Sequence, residues 1–175
     1  MITFRSASPQ DEVAIAQLHA ESWQKHYRGI FSDEYLDQLV VKERAEVWAE
    51  RFAHPLETRH LILAENEGQL CGFACIELNE DPVFGTLLDN LHVSSEVQGQ
   101  GIGAQLMQRA AQWAEAQHPG IGFYLWVLEE NRQARTFYEL MGAIIQEAVP
   151  HDNPEGGTSM VCRCIWHRTA DVYKR

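Results

Sequence analysis

A chain of 175 residues is long enough for one well-cored domain and short for two. With 45% hydrophobic and 22% charged residues it has an ordinary globular composition, and its formal net charge of −11 repels phosphate backbones, so no nucleic-acid partner is expected. No apolar run approaches bilayer length and no basic stretch leads into an apolar core at the start, so no membrane partner is expected and the cytoplasm is the default compartment.

Residues 2–5 read as a short strand. Ser8-Pro9-Gln10-Asp11 then gives a helix start, with Ser8 as cap and Pro9 at the first helical position. Ile15, Leu18 and Ser22 follow at helical spacing, Trp23 and Tyr27 continue the neighbouring stripe, and Gly29 marks the stop. Two further helical pieces are expected over 32–39 and 42–52. After Pro55 the period changes to that of strands. Two apolar runs, 60–65 and 69–78, flank Asn66-Glu67-Gly68 as a hairpin, and 84–93 reads as a third strand of the same meander. Leu106, Ala110, Trp113 and Ala114 mark a helix over 101–117, stopped by Pro119-Gly120. Residues 121–128 are almost wholly apolar, the pattern of a strand covered on both faces. Asn131 caps a helix with Ala134, Phe137, Tyr138 and Met141 at i, i+3, i+4, i+7 and Gly142 just past its end. Strands over 143–149 and 158–166 flank a loop, 150–157, that bears His151 and is suited to gating a site. The last residues look frayed.

The pattern predicts an α/β (α+β) domain over residues 1–167 with a tail, 168–175. Its mixed sheet has about seven strands, mostly antiparallel. The stretch from Phe84 to Leu128 is the one crossover suited to a parallel pair. The cysteines fall in two pairs, Cys71 with Cys75 and Cys162 with Cys164. Neither has the gap of a zinc knuckle, and on strands each pair shares one face, where free Cys packs as a small hydrophobe. No metal site is expected.

Gln98-Gly99-Gln100-Gly101-Ile102-Gly103 sits where a strand gives way to a helix. Glycines there free the backbone, and the first N–H groups of the helix converge on one spot with the macrodipole behind them, an arrangement suited to a pyrophosphate. Gly99, Gly101 and Ala104 also satisfy a dinucleotide-binding pattern. Five residues, Ser94 to Gln98, separate Val93 from the first glycine, however, and no acidic residue stands on a strand end about 20 residues on, so a nicotinamide-dependent oxidoreductase is a distant third reading. A second block, Asn131 to Gly142, lies about 30 residues downstream. Leu91-His92-Val93, the glycine loop and N-x-x-A-x-x-F-Y-x-x-x-G together resemble the GNAT superfamily of acetyl-CoA-dependent N-acetyltransferases, and the likeness in element order covers nearly the whole chain.

The resemblance implies a GNAT-like sheet flanked by helices on both faces, with acetyl-CoA as co-substrate. It implies that Leu91, His92 and Val93 line the pantetheine arm and that amides of Gln98, Gly99, Gln100, Gly101, Ile102 and Gly103 hold the pyrophosphate. Asn131 contacts the cofactor beside the thioester, and Tyr138 protonates the departing thiolate. Position alone would place Tyr138 in the core and make Asn131 a plain helix cap. Attack requires a neutral amine, which at a pKa near ~10.4 is about one molecule in ~2500 at neutral pH. Asp89 is the first candidate for the general base and His92 the second; Glu129 and Glu130 read as helix-entry charges. Trp126 stands where relatives acting on ribosomal protein N-termini often carry glutamate, which counts against that subgroup. Trp23 and Tyr27 are the candidates for closing over the acceptor, an amine of a small molecule or a protein. A homodimer is the base-rate expectation. The alternative is a non-catalytic module that binds acyl-CoA.

Overall fold

A computed structural model describes residues 1–173; Lys174 and Arg175, the end of the expected tail, lie outside the described residues. Seven strands form one sheet in the order β1-β2-β3-β4-β5-β7-β6. They are β1 (Ile2–Ser6), β2 (Arg59–Asn66), β3 (Gln69–Asp81), β4 (Gly85–Val93), β5 (Phe123–Leu128), β6 (Ile144–Asp152) and β7 (Thr158–Trp166). The four α-helices are α1 (Glu12–His26), α2 (Val40–Ala53), α3 (Ile102–Gln117) and α4 (Arg132–Leu140). The pair β4/β5 is parallel, whereas β1/β2, β5/β7 and β6/β7 are antiparallel. The mixed α/β class and the single crossover are as the sequence predicts.

The chain clusters into two compact units, Met1–Cys75 with Asn90–Leu106, and Ile76–Asp89 with the residues from Met107 on. In the first unit, Ile15, Ala16 and Leu18 of α1 and Trp48 of α2 pack on Leu63, Phe73 and Cys75. Gly72, one step along β3 from Phe73, sits against Leu106 of α3 and the carbonyl of His92. Because successive strand residues point to opposite faces, α1 and α2 cover one side of β3 and the start of α3 the other. The turn between β2 and β3 is two residues, Glu67 and Gly68, both at positive φ, as the preferred hairpin twist requires. At the start of α1, the Ser8 backbone N–H and hydroxyl both donate to the Asp11 carboxylate, at 2.7 and 2.8 Å. A 3-10 turn over Pro9–Asp11 therefore precedes the helix, which starts at Glu12. The helical pieces expected over 32–39 and 42–52 are joined: a π-helical turn, Tyr35–Leu39, runs straight into α2. Gln24 donates to the Leu36 carbonyl at 2.9 Å and so satisfies one backbone acceptor of that widened turn.

In the second unit, α4 ends in a Schellman motif. Gly142, at φ 93°, donates to Glu139, and Ala143 donates to Tyr138, both at 2.9 Å. Two sequence expectations are corrected here. Residues 150–152 belong to β6, since Pro150, His151 and Asp152 pair with Met160, Ser159 and Thr158; the loop shrinks to a tight turn at 153–157. Proline is admissible because β6 is the edge strand. Strand β5 is covered on both faces only in part, because Trp126 is 36% exposed, with the Arg163 guanidinium 4.4 Å from its ring centre. Near the C-terminus Thr169, Ala170 and Val172 are buried in a 3-10 turn, so this stretch is ordered by packing.

The parallel pair begins where Gly85 and Gly122 let two backbones meet. Thr86 donates to the Gly122 carbonyl at 3.0 Å, and a Cβ on Gly122 would lie 2.6 Å from the Phe84 carbonyl oxygen. A Cβ on Gly85, at φ 84°, would lie 2.4 Å from the Gly122 oxygen. Gly122→Ala and Gly85→Ala are each expected to lower unfolding stability by about 2–4 kcal/mol through clash and backbone strain, read as a shift in urea midpoint. An unmoved midpoint would contradict this close approach.

Candidate active site

The first unit gathers polar side chains on a face where apolar ones would be expected. Along α1, His19, Ser22, Trp23 and His26 follow i, i+3, i+4, i+7, with Tyr27 at the helix end. Along α2, Arg44, Trp48 and Arg51 repeat the same spacing. His19 is 2% exposed, and its Nδ1 accepts the Trp48 indole N–H at 3.0 Å. An indole can only donate, so the remaining proton of the neutral His19 ring sits on Nε2, which is buried without a partner. Burial, with the neighbouring His92 and arginines Arg44 and Arg51 adding to it, holds the His19 pKa well below its ordinary value.

His92 lies at the end of β4 with its ring 4.4 Å from that of His19 and 5.3 Å from Phe73. Its Nδ1 stands 2.8 Å from the Ser22 hydroxyl. Burial, then the fields of His26 and Arg44, push its pKa down to about 3, so the ring is neutral at neutral pH. Trp23 packs edge-on to Tyr27 and against Phe31, and Tyr27 in turn meets Phe31 edge-on. Burial raises the Tyr27 phenol to about 12, so it is a donor, not a phenolate. Two residues expected at an acceptor site thus share one cluster with His92, expected on the cofactor arm.

The glycine loop follows in the same unit. A 3-10 turn at Ser95–Val97 leads from β4 into it, and the Gln98 side chain folds back to donate to the Val93 carbonyl at 3.1 Å, with His26 Nε2 also at 3.1 Å. Gly99 and Gly101 have φ of 79° and 75°, and a Cβ on either would meet nothing within 4 Å. Their glycines therefore serve the backbone path, with open space beside it. Gln98, Gly99, Gln100 and Gly101 are exposed, Gly103 is half-buried and Ile102 is buried, anchoring the first turn of α3. Gln105 donates to the Gly101 carbonyl at 3.1 Å, which makes Gly101 the helix cap and leaves the first-turn N–H groups without intrahelical acceptors. Leu91 and Val93 are half-buried on β4, and Val93 approaches Gly72 of β3.

In the second unit, Asn131 caps α4, its Oδ1 accepting the Ala134 N–H at 3.1 Å. Tyr138 is half-buried with its ring 5.2 Å from Phe137, so it is not a closed core tyrosine. Asp89 is half-buried on β4. Trp126 and Phe84 flank Arg163, which also pairs with Glu147 at 2.9 Å and Asp81 at 3.5 Å. Glu129 and Glu130 are exposed at the entry to α4, and His151 is exposed on β6. Sequence reasoning missed His19, Arg44 and Trp48. The signal was there in His19, Ser22 and His26 on the inward stripe of α1, three polar residues where a plain amphipathic helix would bury apolar ones.

All four cysteines are free and buried, and among the described residues no group of three or more His, Cys, Asp or Glu is placed to hold a metal ion. No helix of the described residues is long and apolar enough to cross a membrane.

Comparison with known proteins accords with this arrangement. The model of the acetyltransferase (GNAT) family matches residues 15–143. An uncharacterized N-acetyltransferase, YuaI, of Bacillus subtilis is 30% identical over 158 residues, covering 89% of this chain and 86% of that protein. Among solved structures, the PaiA N-acetyltransferase of Thermoplasma acidophilum in complex with coenzyme A superposes with a TM-score of 0.74 at 21% identity, covering 95% of this chain and 99% of that one. A variant of the spermidine N-acetyltransferase SpeG of Vibrio cholerae gives a TM-score of 0.70 at 19% identity, covering 99% and 97%. With a family match over well more than half its length and a relative of this identity and coverage, the chain belongs to the acetyltransferase (GNAT) family.

Proposed function

We infer that this protein is an acetyl-CoA-dependent N-acetyltransferase acting on a primary amine of a small molecule or protein, by direct attack in a ternary complex. The observation that carries the reading is the loop at 98–103, with Gly99 and Gly101 at positive φ and open space beside both, in a chain of this family. A pyrophosphate needs convergent N–H groups with no side chain in the way, and that loop fits it. The complex of the PaiA relative with coenzyme A supports the same ligand, and relatives named N-acetyltransferases favour an enzyme over a non-catalytic module. The match at 15–143 runs through both compact units, which supports reading 1–167 as one catalytic domain.

Acetyl-CoA supplies an activated acetyl thioester. The chain's own residues then have four tasks. Backbone amides from Gln98 to Gly103 hold the diphosphate, with Leu91, His92 and Val93 along the arm and Asn131 near its end. The Tyr138 phenol holds the proton that the leaving sulfur requires. A base must take the proton that the amine loses. Asp89 remains the first candidate; His92, whose Nδ1 stands 2.8 Å from the Ser22 hydroxyl, is the second, and a pKa pushed down to about 3 makes its ring a weak proton acceptor. Trp23 and Tyr27 close over the acceptor.

Three measurements bear on this reading. Acetyl-CoA is expected to bind in the micromolar range and raise the melting temperature. Gly101→Asp, at a position where a Cβ would meet nothing within 4 Å and with a residue type that visits the left-handed region at modest strain, should fold yet lose at least about tenfold in affinity, from charge set against phosphate. Equal affinity in calorimetry would remove the loop from the site. Tyr138→Phe should lower turnover by roughly 10²-fold while acetyl-CoA affinity stays put, since only a proton donor is lost. Undiminished turnover would return the phenol to a packing role.

A fourth measurement concerns stability. Folded His92 binds its proton only near about 3, whereas the unfolded chain does so near 6.5. Between those values the unfolded state holds more protons, so stability is full above about 6.5 and falls as the pH drops through that window. His92→Gln should make the decline of the melting temperature between pH 7 and 4 shallower. An identical slope in the variant would show that His92 is not held neutral by the fold.

A further inference from the structure

Arg44 differs from Arg5, Arg28 and Arg163 in what it is given to bind. Arg5 donates to Asp11 and Glu65, Arg28 to Asp33 and Asp37, and Arg163 pairs with Asp81 and Glu147. The Arg44 side chain is only 12% exposed, yet its sole carboxylate contact is Glu43 at 3.3 Å, outside hydrogen-bond geometry. Glu43 is itself engaged by the Tyr35 hydroxyl. The Arg44 Nε is buried with no partner. The guanidinium carbon lies 4.4 Å from the Trp23 ring centre, so one face of the cation is stacked. Stacking leaves the edge of the fork open apart from the Glu43 contact, and a buried Nε–H without an acceptor is costly.

A planar, bidentate acceptor is what such a fork fits. Its surroundings extend the same preference. Arg44 acts electrostatically on Tyr27 and His92, the two residues assigned above to the acceptor and the proton. The Tyr27 hydroxyl, a donor at working pH, has no hydrogen-bond partner among the described residues. A second cation brought to this place would meet a like charge in an apolar, aromatic setting, which selects against polyamines.

We propose that Arg44, with the Tyr27 hydroxyl, recognises a carboxylate on the acceptor, so that the substrate is an amino carboxylate such as a free amino acid. The proposal rests on the acetyltransferase reading and names its acceptor class. In balance, the amine nitrogen gains the acetyl carbon and loses a proton, the carbon–sulfur bond breaks, and the thiol leaves protonated; the carboxylate is unchanged and serves only to position the amine.

The test compares α- and ω-amino carboxylates with their carboxamides, the decarboxylated amines, spermidine and aminoalkyl phosphonates. Wild-type protein is examined by thiol release and, independently of turnover, by calorimetric binding. The expected result is at least a tenfold advantage in kcat/KM, and in binding, for one or more carboxylates over the matching carboxamide. Arg44→Gln should erase that advantage and Arg44→Lys should keep only part of it, with acetyl-CoA affinity unchanged in both. Equal use of carboxylate and carboxamide by the wild type, a preference for spermidine or the phosphonates, or an advantage that survives in a folded Arg44→Gln protein would each overturn the proposal while leaving the acetyltransferase standing. Should acetyl-CoA neither bind nor release thiol, the acetyltransferase fails, and calorimetry alone decides: selective carboxylate binding that requires Arg44 sustains the proposal, and none overturns it. If Arg44→Gln does not fold, the wild-type panel still decides.

Discussion

An indole N–H buried in the first unit must find an acceptor, and in this chain it finds the Nδ1 of a histidine. That bond, from Trp48 to His19, ties α2 to α1 and dictates which nitrogen of His19 carries its proton. Once His19 is fixed, the ring of His92 lies against it, and Ser22, one turn further along α1, reaches the free nitrogen of that second ring. Trp23 and Tyr27 then follow from helical spacing alone. The aromatic and imidazole cluster is therefore a consequence of satisfying one donor in a dry place.

The same economy explains why both imidazoles are neutral. His19 is buried and His92 half-buried, and each has a cation or another imidazole nearby, so protonation is opposed by burial and by charge together. A cluster built this way can accept a proton transiently but cannot hold one at rest. It suits a step in which an amine must arrive, or become, uncharged. On the loop side the logic is steric, since two glycines at positive φ turn the backbone and leave open space where side chains would stand.

Much of this was legible in the chain itself. Asn131, Gly142 and the stripe between them predict α4, cap and stop included, because each end depends on a single local residue. The Glu67-Gly68 hairpin and the glycine loop are equally local, and the family's motif carries the site expectations at Leu91 to Val93, Asn131 and Tyr138. What escaped has a common cause in long-range packing. His19 and Trp48 stand 29 positions apart, and His92 and Ser22 70 apart; no periodicity links them. Arg44 is one of several charges along α2, and only the fold brings it over Trp23. The 150–157 stretch read as loop because it carries proline and glycine, yet pairing with β7 holds its first three residues in strand. Trp126 looked covered because its neighbours are apolar, and its actual cover is the guanidinium of Arg163.

The cysteines give the enzyme a practical property. All four sulfurs are enclosed, and burial raises the thiols of Cys71, Cys162 and Cys164, the last to about 12. A thiol that is both inaccessible and protonated is a poor nucleophile toward disulfide reagents. In a chromogenic exchange with such a reagent the folded protein stays dark, and the colour that develops counts liberated coenzyme A alone.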